Sequence, residues 1–554
     1  MKKYLFFVLF LLMTASPAPG ETLYEEQLNR GIRNSDPYAY LLIENAKKEE
    51  SGSGILLKEA VRYAPDLPAA YFELAKAVFS FEPEKVFESV DYMRQSITSY
   101  KHNFWWAFTM LSSLFASLLL SFFVSVVIVV TVRLLKDVPM ISHEIQENRN
   151  KVLILFVLIL SFFGPLYLLG SLLILTGLYM TRWDRVVVYV YLIILLASPL
   201  IFFAVSAVLT APASSDLKAV VRVNEGRGNT YALSVLGGGK NSVELFSYAL
   251  ALKREGRFQE AIDAYYKLLS FSQNRSRVYT NLANCYVGLY EMEKAKDLYK
   301  KSLETRPLVS TLYNLSQVYR ETLDFKKGEE YFLAAQGLDR VAVSRFRSIF
   351  GRNPNRFVID ERLPESELWE YAAAKTSRAT AMGLSLLPPL AMSASAVLMG
   401  IVFFGMSRLR NRAYRCRRCG TIMCNRCEKH IHWGHMCPQC FKSLVKLDEL
   451  DARERISRIL LVYEHKKKKR EIIKILSLIL PGSGQIYAGN ILQGLLFLWP
   501  FLFFLFIPVM NSFFNVGMSH FSHLWLSILS LILTAGVYAF ANIVTRRRIA
   551  RGWL

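Results

Sequence analysis

Residues 245–269 read "LFSYALALKREGRFQEAIDAYYKLL", and residues 278–307 read "VYTNLANCYVGLYEMEKAKDLYKKSLETRP". Laid over one another at a period of about 34, Tyr248 falls on Leu282, Ala249 on Ala283, Leu252 on Tyr286, Ala261 on Ala295 and Tyr265 on Tyr299. A third unit at 312–335, "LYNLSQVYRETLDFKKGEEYFLAA", supplies Leu315, Tyr319, Gly328, Phe332 and Ala335. Stacked helical hairpins need this alternation. The small residue lets two helices approach, and the ring fills the groove between them. The fold class so read is all-α.

The pattern resembles a tetratricopeptide repeat array. Pro307 falls where that family ends its second helix, while the third unit departs with Gly328 in place of alanine and no closing proline. The resemblance implies a solenoid over residues 211–378. Its groove, within Leu245 to Ala335, would hold peptides or partner helices, and such arrays seldom carry catalysis. Residues 56–80, "LLKEAVRYAPDLPAAYFELAKAVFS", read as a degenerate version inside a second helical region at 21–103. A partial array needs neighbouring helices to cover its apolar face. Cys285 sits at a packed repeat position, as a buried free thiol.

Of the 554 residues, 53% are hydrophobic, concentrated in long uncharged runs. About 20 apolar residues cross a bilayer, so the chain reads as a multi-pass membrane protein. The net charge of +22 lies beside those runs, as orientation signals do, and does not point to nucleic acid. "MKKYLFFVLFLLMTASPAPG" has two lysines, an apolar core and small residues, and reads as a signal peptide over residues 1–20, or else as an uncleaved anchor. Membrane helices follow at 104–210. Within them, the stretch 152–181 is broken by Gly164 and Pro165 and flanked by basic residues on both sides. It reads as a helical hairpin or as one tilted span. A further span at 382–406 ends in the arginine-rich "SRLRNRAYRCRRC". The positive-inside rule then places both repeat regions outside and everything after Met406 in the cytoplasm, in a bacterial inner membrane.

Residues 416–440, "CRRCGTIMCNRCEKHIHWGHMCPQC", hold six of the seven cysteines and three of the eight histidines. Each C-x2-C knuckle offers two thiolates on a tight turn, half of a tetrahedral zinc site. In the cytoplasm thiols stay reduced, so a disulfide staple is disfavoured. The run resembles the middle and closing parts of a FYVE-type double-zinc finger. Carried over by position, the resemblance implies one zinc on Cys416, Cys419, Cys437 and Cys440. A second would take Cys424 and Cys427 with two of His430, His432 and His435, because the family's opening knuckle is absent here. The module so drawn spans 412–447. Its role is a structural staple or a regulatory site.

A basic helical linker at 448–471 follows. Its run Lys466 to Arg470 suits anionic lipid or serves as a topology signal. The last region, 472–545, is a membrane domain that opens with "LPGSGQIYAGNILQGLLFLW" at 480–499. It resembles small bacterial membrane domains with a PG-x-GQ-x-Y-x-G pattern, matched by Pro481, Gly482, Gly484, Gln485, Tyr487 and Gly489, and by Gly494 beyond it. Residues Ile472 to Leu480 rise only about 13 Å as a helix and cannot cross alone. No paired carboxylates, nucleophile elbow or small-molecule site is legible. The expectation is a scaffold that binds proteins through its repeats and is not an enzyme. The alternative is a transducer sensing zinc or thiol redox state. A transporter is disfavoured because the spans contain almost no ionisable residues.

Overall fold

The computed structural model describes residues 23–29, 31–49, 52–146, 151–237, 239, 241–270, 275–350, 358–376, 385–408, 413–416, 418–423, 436–444, 452–514 and 523–551. The signal-peptide reading falls on residues 1–20, outside the described residues. The chain forms two compact units. One joins the residues up to Ala107 with Leu209–Thr376, and the other joins Phe108–Val208 with Ser377–Leu554.

The first unit is a stack of helical hairpins. Asp36–Lys48 pairs with Ser53–Tyr63 and Pro68–Val78 with Pro83–Ser99, ahead of three hairpins in the array. These are Ser242–Arg254 with Phe258–Leu269, Arg275–Gly288 with Met292–Thr305, and Val309–Glu321 with Phe325–Leu338. Proline within the first turn starts three of the N-terminal helices, where its missing N–H costs nothing. Ala249, Ala261, Tyr265, Leu282, Ala283, Ala295, Tyr299, Leu315 and Ala335 are all buried. Gly328 has a packing reason: a Cβ there would sit 2.7 Å from the Arg320 Cγ and 3.2 Å from the Ser316 carbonyl oxygen.

Each array hairpin turns through a left-handed residue. The first uses Gly256, but the next two use Tyr290 at φ 60° and Leu323 at φ 62°. A side chain in that region costs about 1–2 kcal/mol. Leu323 is 75% exposed, so little packing offsets the cost. Leu323→Gly is therefore expected to raise the unfolding free energy of this unit by roughly 1 kcal/mol, read from the denaturant midpoint. A fall instead would show that the exposed leucine has a contact worth more than the backbone strain.

Among its described residues, the second unit contains four helices long and apolar enough to cross a membrane: Phe104–Glu144, which begins in the first unit, Pro389–Arg408, Ile491–Phe514 and Leu524–Ala550. Val186–Leu196 and Ser198–Ala213 make a fifth candidate bent by 62°. The interrupted stretch forms two helices, Lys151–Ser161 and Pro165–Gly177, folded against each other. Gly164 between them has φ +117°, a conformation that separates the helices rather than continuing one. At 11 and 13 residues each rises about 16–20 Å, short of the hydrocarbon core. The residues on both sides of 471/472 belong to one unbroken helix, Ala452–Ile479. Lysine, arginine and glutamate are good helix formers, so the basic run continues the helix.

Candidate metal centre and repeat groove

Two short strands, Tyr414–Arg415 and Ile422–Met423, pair antiparallel and hold the first knuckle between them. The Cys416 N–H donates to the Thr421 carbonyl at 2.8 Å and the Gly420 N–H to the Cys416 carbonyl at 3.0 Å. Gly420 itself adopts φ +80°, which closes the turn. The second knuckle begins at Cys437 and enters the helix Pro438–Leu444.

The sulfurs of Cys416, Cys419, Cys437 and Cys440 all lie within 4.8 Å of one another. A tetrahedral zinc at about 2.3 Å from each sulfur would space them about 3.8 Å apart, and the Cys419 and Cys437 sulfurs are 3.6 Å apart. Backbone N–H groups point at the sulfurs, Cys437 N–H to Cys416 Sγ at 3.3 Å and Cys440 N–H to Cys437 Sγ at 3.2 Å. Such bonds favour thiolate. Burial would raise the Cys419 thiol, but bonds from Thr421 outweigh it and bring the thiol down to about 7. Burial pushes Cys437 up to about 11. None of the four cysteines forms a disulfide, and three of them are buried. The donor set fits a closed four-thiolate metal site. Cys424, Cys427, His430, His432 and His435 lie outside the described residues.

Sequence reading missed what supports this centre. The helix Ala452–Ile479 packs on it through Val462 and through His465, whose ring covers Gly420. The Ala413 N–H donates to Glu144 and Arg415 donates to the Lys136 carbonyl at 2.9 Å, so the module is hydrogen-bonded to the end of the helix Phe104–Gln146. Of the basic run, Lys466, Lys467, Lys468 and Arg470 are exposed and Lys469 is half-buried.

The PG-x-GQ-x-Y-x-G residues form a helical turn, Ser483–Ala488, between left-handed Gly482 and Gly489. Any Cβ on Gly482 would fall 2.1 Å from the Gly494 carbonyl oxygen, so the backbones touch there. Gln485 donates to Thr545 at 2.6 Å. Tyr487 takes part through its carbonyl, which accepts from Lys136 Nζ at 2.7 Å. Asp184, unnoticed in the sequence, caps the next helix by accepting from the Ile491 and Leu492 N–H groups.

The repeat groove holds the chain's own residues 358–363. Asn314 and Asn281, on the first helices of their hairpins, and Asn224, at the end of the helix Ser215–Asn224, each make a two-way amide pair with one strap residue. The Ile359 N–H donates to Asn314 at 2.7 Å, and Asn314 returns to the Ile359 carbonyl at 2.8 Å. Asn281 does the same for Glu361 at 2.8 and 2.9 Å, and Asn224 for Leu363 at 2.7 and 3.2 Å. Alternate backbone units of an extended strap are thus read by one asparagine each. Asp360 binds Lys253 Nζ at 2.6 Å and Arg254 Nε at 3.2 Å. Glu361 binds Arg277 at 3.0 Å and also accepts from the Ser310 hydroxyl. Residues 358–363 thus occupy these positions along the array. Buried amide side chains on these helices require partners, and the strap supplies them.

With this geometry in hand, comparison with known proteins is narrow. Residues 276–307 match the family described as Tetratricopeptide repeat. They coincide with the hairpin Arg275–Gly288 and Met292–Thr305. The chain contains this repeat. No curated protein matches it.

Proposed function

We propose that this chain is a bacterial inner-membrane scaffold, not an enzyme, whose repeat unit is exported and binds proteins. A structural zinc on Cys416, Cys419, Cys437 and Cys440 holds its cytoplasmic module. The observation carrying the topology is that residues up to Ala107 and residues Leu209–Thr376 belong to one compact unit. A membrane cannot divide that unit, so the chain between them crosses an even number of times. Phe104–Glu144 and the bent pair Val186–Ala213 supply two crossings, and the short hairpin between them supplies none. Arg133, Arg182, Arg185 and the arginines after Met406 then share one face, which the positive-inside rule makes cytoplasmic. A tetratricopeptide repeat supports protein binding in general, and a closed four-thiolate set supports structural zinc.

A second reading, transduction of zinc or redox state, rests on the hydrogen bonds that tie the module to Glu144 and Lys136. Loss of the metal would release those contacts on the first span.

Labelling tests the scaffold's orientation. A cysteine introduced at exposed Glu304 is expected to react with a membrane-impermeant maleimide in intact spheroplasts, and one at Lys467 only after lysis. The reverse pattern would turn the whole chain over. Crosslinking in native membranes at Glu304, followed by mass spectrometry, then identifies what the repeats touch.

A further inference from the structure

The repeat unit has a half-open cavity of about 1330 Å³ between its N-terminal hairpins and its array. That exceeds the roughly 300–1,000 Å³ of ordinary small-molecule sites. Seven arginine and lysine side chains line it against three carboxylates. Arg33, Arg94, Lys253 and Arg254 have carboxylate partners within the fold.

Its inner wall holds three guanidinium groups. Arg33 is fixed by Asp66, with Nη2 to Oδ1 at 3.1 Å, and by its own N–H to the Gly226 carbonyl. Arg254 is fixed by Asp360 and by the Val223 carbonyl at 2.7 Å. Its stem also lies against Gly31, where a Cβ would fall 2.9 Å away. Arg362 comes from the strap, and its backbone neighbours Glu361 and Leu363 are pinned by Asn281 and Asn224.

Arg362 has no carboxylate within ion-pair distance among the described residues. The two that act on it are already engaged. Asp66 holds Arg33 and Asn34, and Glu225 holds Arg227 and the Phe104 N–H. Burial, then the like charges of Arg33 and Arg254, bring the Arg362 guanidinium down to about 10. The backbone on either side of Arg362 is thus pinned, and its guanidinium lines the cavity near two others without a carboxylate of its own within ion-pair distance among the described residues. Such a concave, preorganised positive site attracts oxyanions, which arginine binds through paired N–H groups.

We propose that this cavity binds a phosphate- or sulfate-type oxyanion carried on a larger molecule, with Arg362 as the contact residue and Arg33 and Arg254 behind it. The oxyanion belongs to a soluble solute or to a lipid headgroup, and the volume accommodates either. Oxyanion binding here is independent of the zinc assignment and of the scaffold reading.

The test uses full-length protein in zwitterionic-lipid nanodiscs, titrated with pyrophosphate while the thermal unfolding of the repeat unit is followed. Wild type is expected to rise by roughly 5 °C at saturation, and the same ionic strength as sodium chloride should give no such rise. Arg362→Gln should bind at least tenfold more weakly, while its unliganded midpoint stays equal or increases because repulsion is relieved. Arg345→Gln, at the exposed rim of the cavity, should weaken binding severalfold. If pyrophosphate has no effect but phosphatidylglycerol in the nanodisc stabilises wild type and not Arg362→Gln, the ligand is a headgroup. Silence in both arms, a rise matched by sodium chloride, or wild-type binding by both variants overturns the proposal.

Discussion

Asp360→Ala is expected to cost the repeat unit about 3–5 kcal/mol, the usual consequence of removing one partner from a buried charged cluster. The carboxylate accepts from Lys253 at 2.6 Å, Arg254 at 3.2 Å and Asn284 at 3.1 Å. Lys253 and Asp360 are each 14% exposed and Arg254 is 8% exposed, so water cannot replace the lost charge. Alanine leaves two cations facing each other beside Arg33 and Arg362. Asp360→Asn keeps a hydrogen-bonding side chain without the charge and should fall between alanine and wild type. Denaturant midpoints measure both, and a loss below 1 kcal/mol for alanine would show that the strap is held by its backbone pairs alone.

The same residue sets an acid limit. Burial would raise the Asp360 carboxyl, but Lys253 and Arg254 hold it well below its ordinary range. Because the folded value is depressed, the unfolded chain takes up the proton more readily. The stabilisation is complete above the unfolded value of about 4 and is lost as pH falls below it toward the folded one. Wild type should lose stability through that acid range, and Asp360→Ala should lose less of it. A peptide of residues 358–364 should bind more readily to the alanine variant than to wild type, where the tethered strap competes at high effective concentration.

How far the sequence could be read follows from where each pattern lies along the chain. The array was legible because packing repeats: Ala249 and Ala283, Ala261 and Ala295, Tyr265 and Tyr299 recur at one spacing and are all buried. The cysteine knuckles were legible because tetrahedral zinc demands short local spacing. The strap was not. Its partners Asn314, Asn281 and Asn224 stand 45, 80 and 139 residues from the positions they bind, and a lone extended segment carries no periodicity. Asn281 and Asn314 share an inward position on successive hairpins, and that recurrence was the available signal. His465 over Gly420 and Asp184 at the Ile491 N–H group were hidden for the same reason. They meet only after the helices have packed.

Metal removal should have its largest effect on the cysteine module. Around the four thiols, the described hydrophobic support is Met423 at 5% exposure, with Tyr414, Met436 and Val462 only partly buried. That is too little to order the segment by burial, at about 25 cal/mol per Å². A structural zinc contributes on the order of 10 kcal/mol of apparent binding energy, enough to fold such a module. Full-length protein, purified reduced, is therefore expected to carry at least one zinc. A strong chelator should expose all the knuckle cysteines to maleimide together, and acid should favour release because protons compete for the thiolates. Cys416→Ser or Cys437→Ser should abolish the metal at this site and make the segment between Ala413 and Leu444 protease-sensitive, while the repeat unit keeps its unfolding midpoint. A count of two that drops to one in Cys424→Ser, or in a variant of His430, His432 or His435, would establish the second site. A count of one that ignores all of these would leave the four-thiolate site alone. No zinc in reduced protein, or full zinc in Cys437→Ser, would end the assignment, because no tetrahedral set can be drawn from these four sulfurs with one removed.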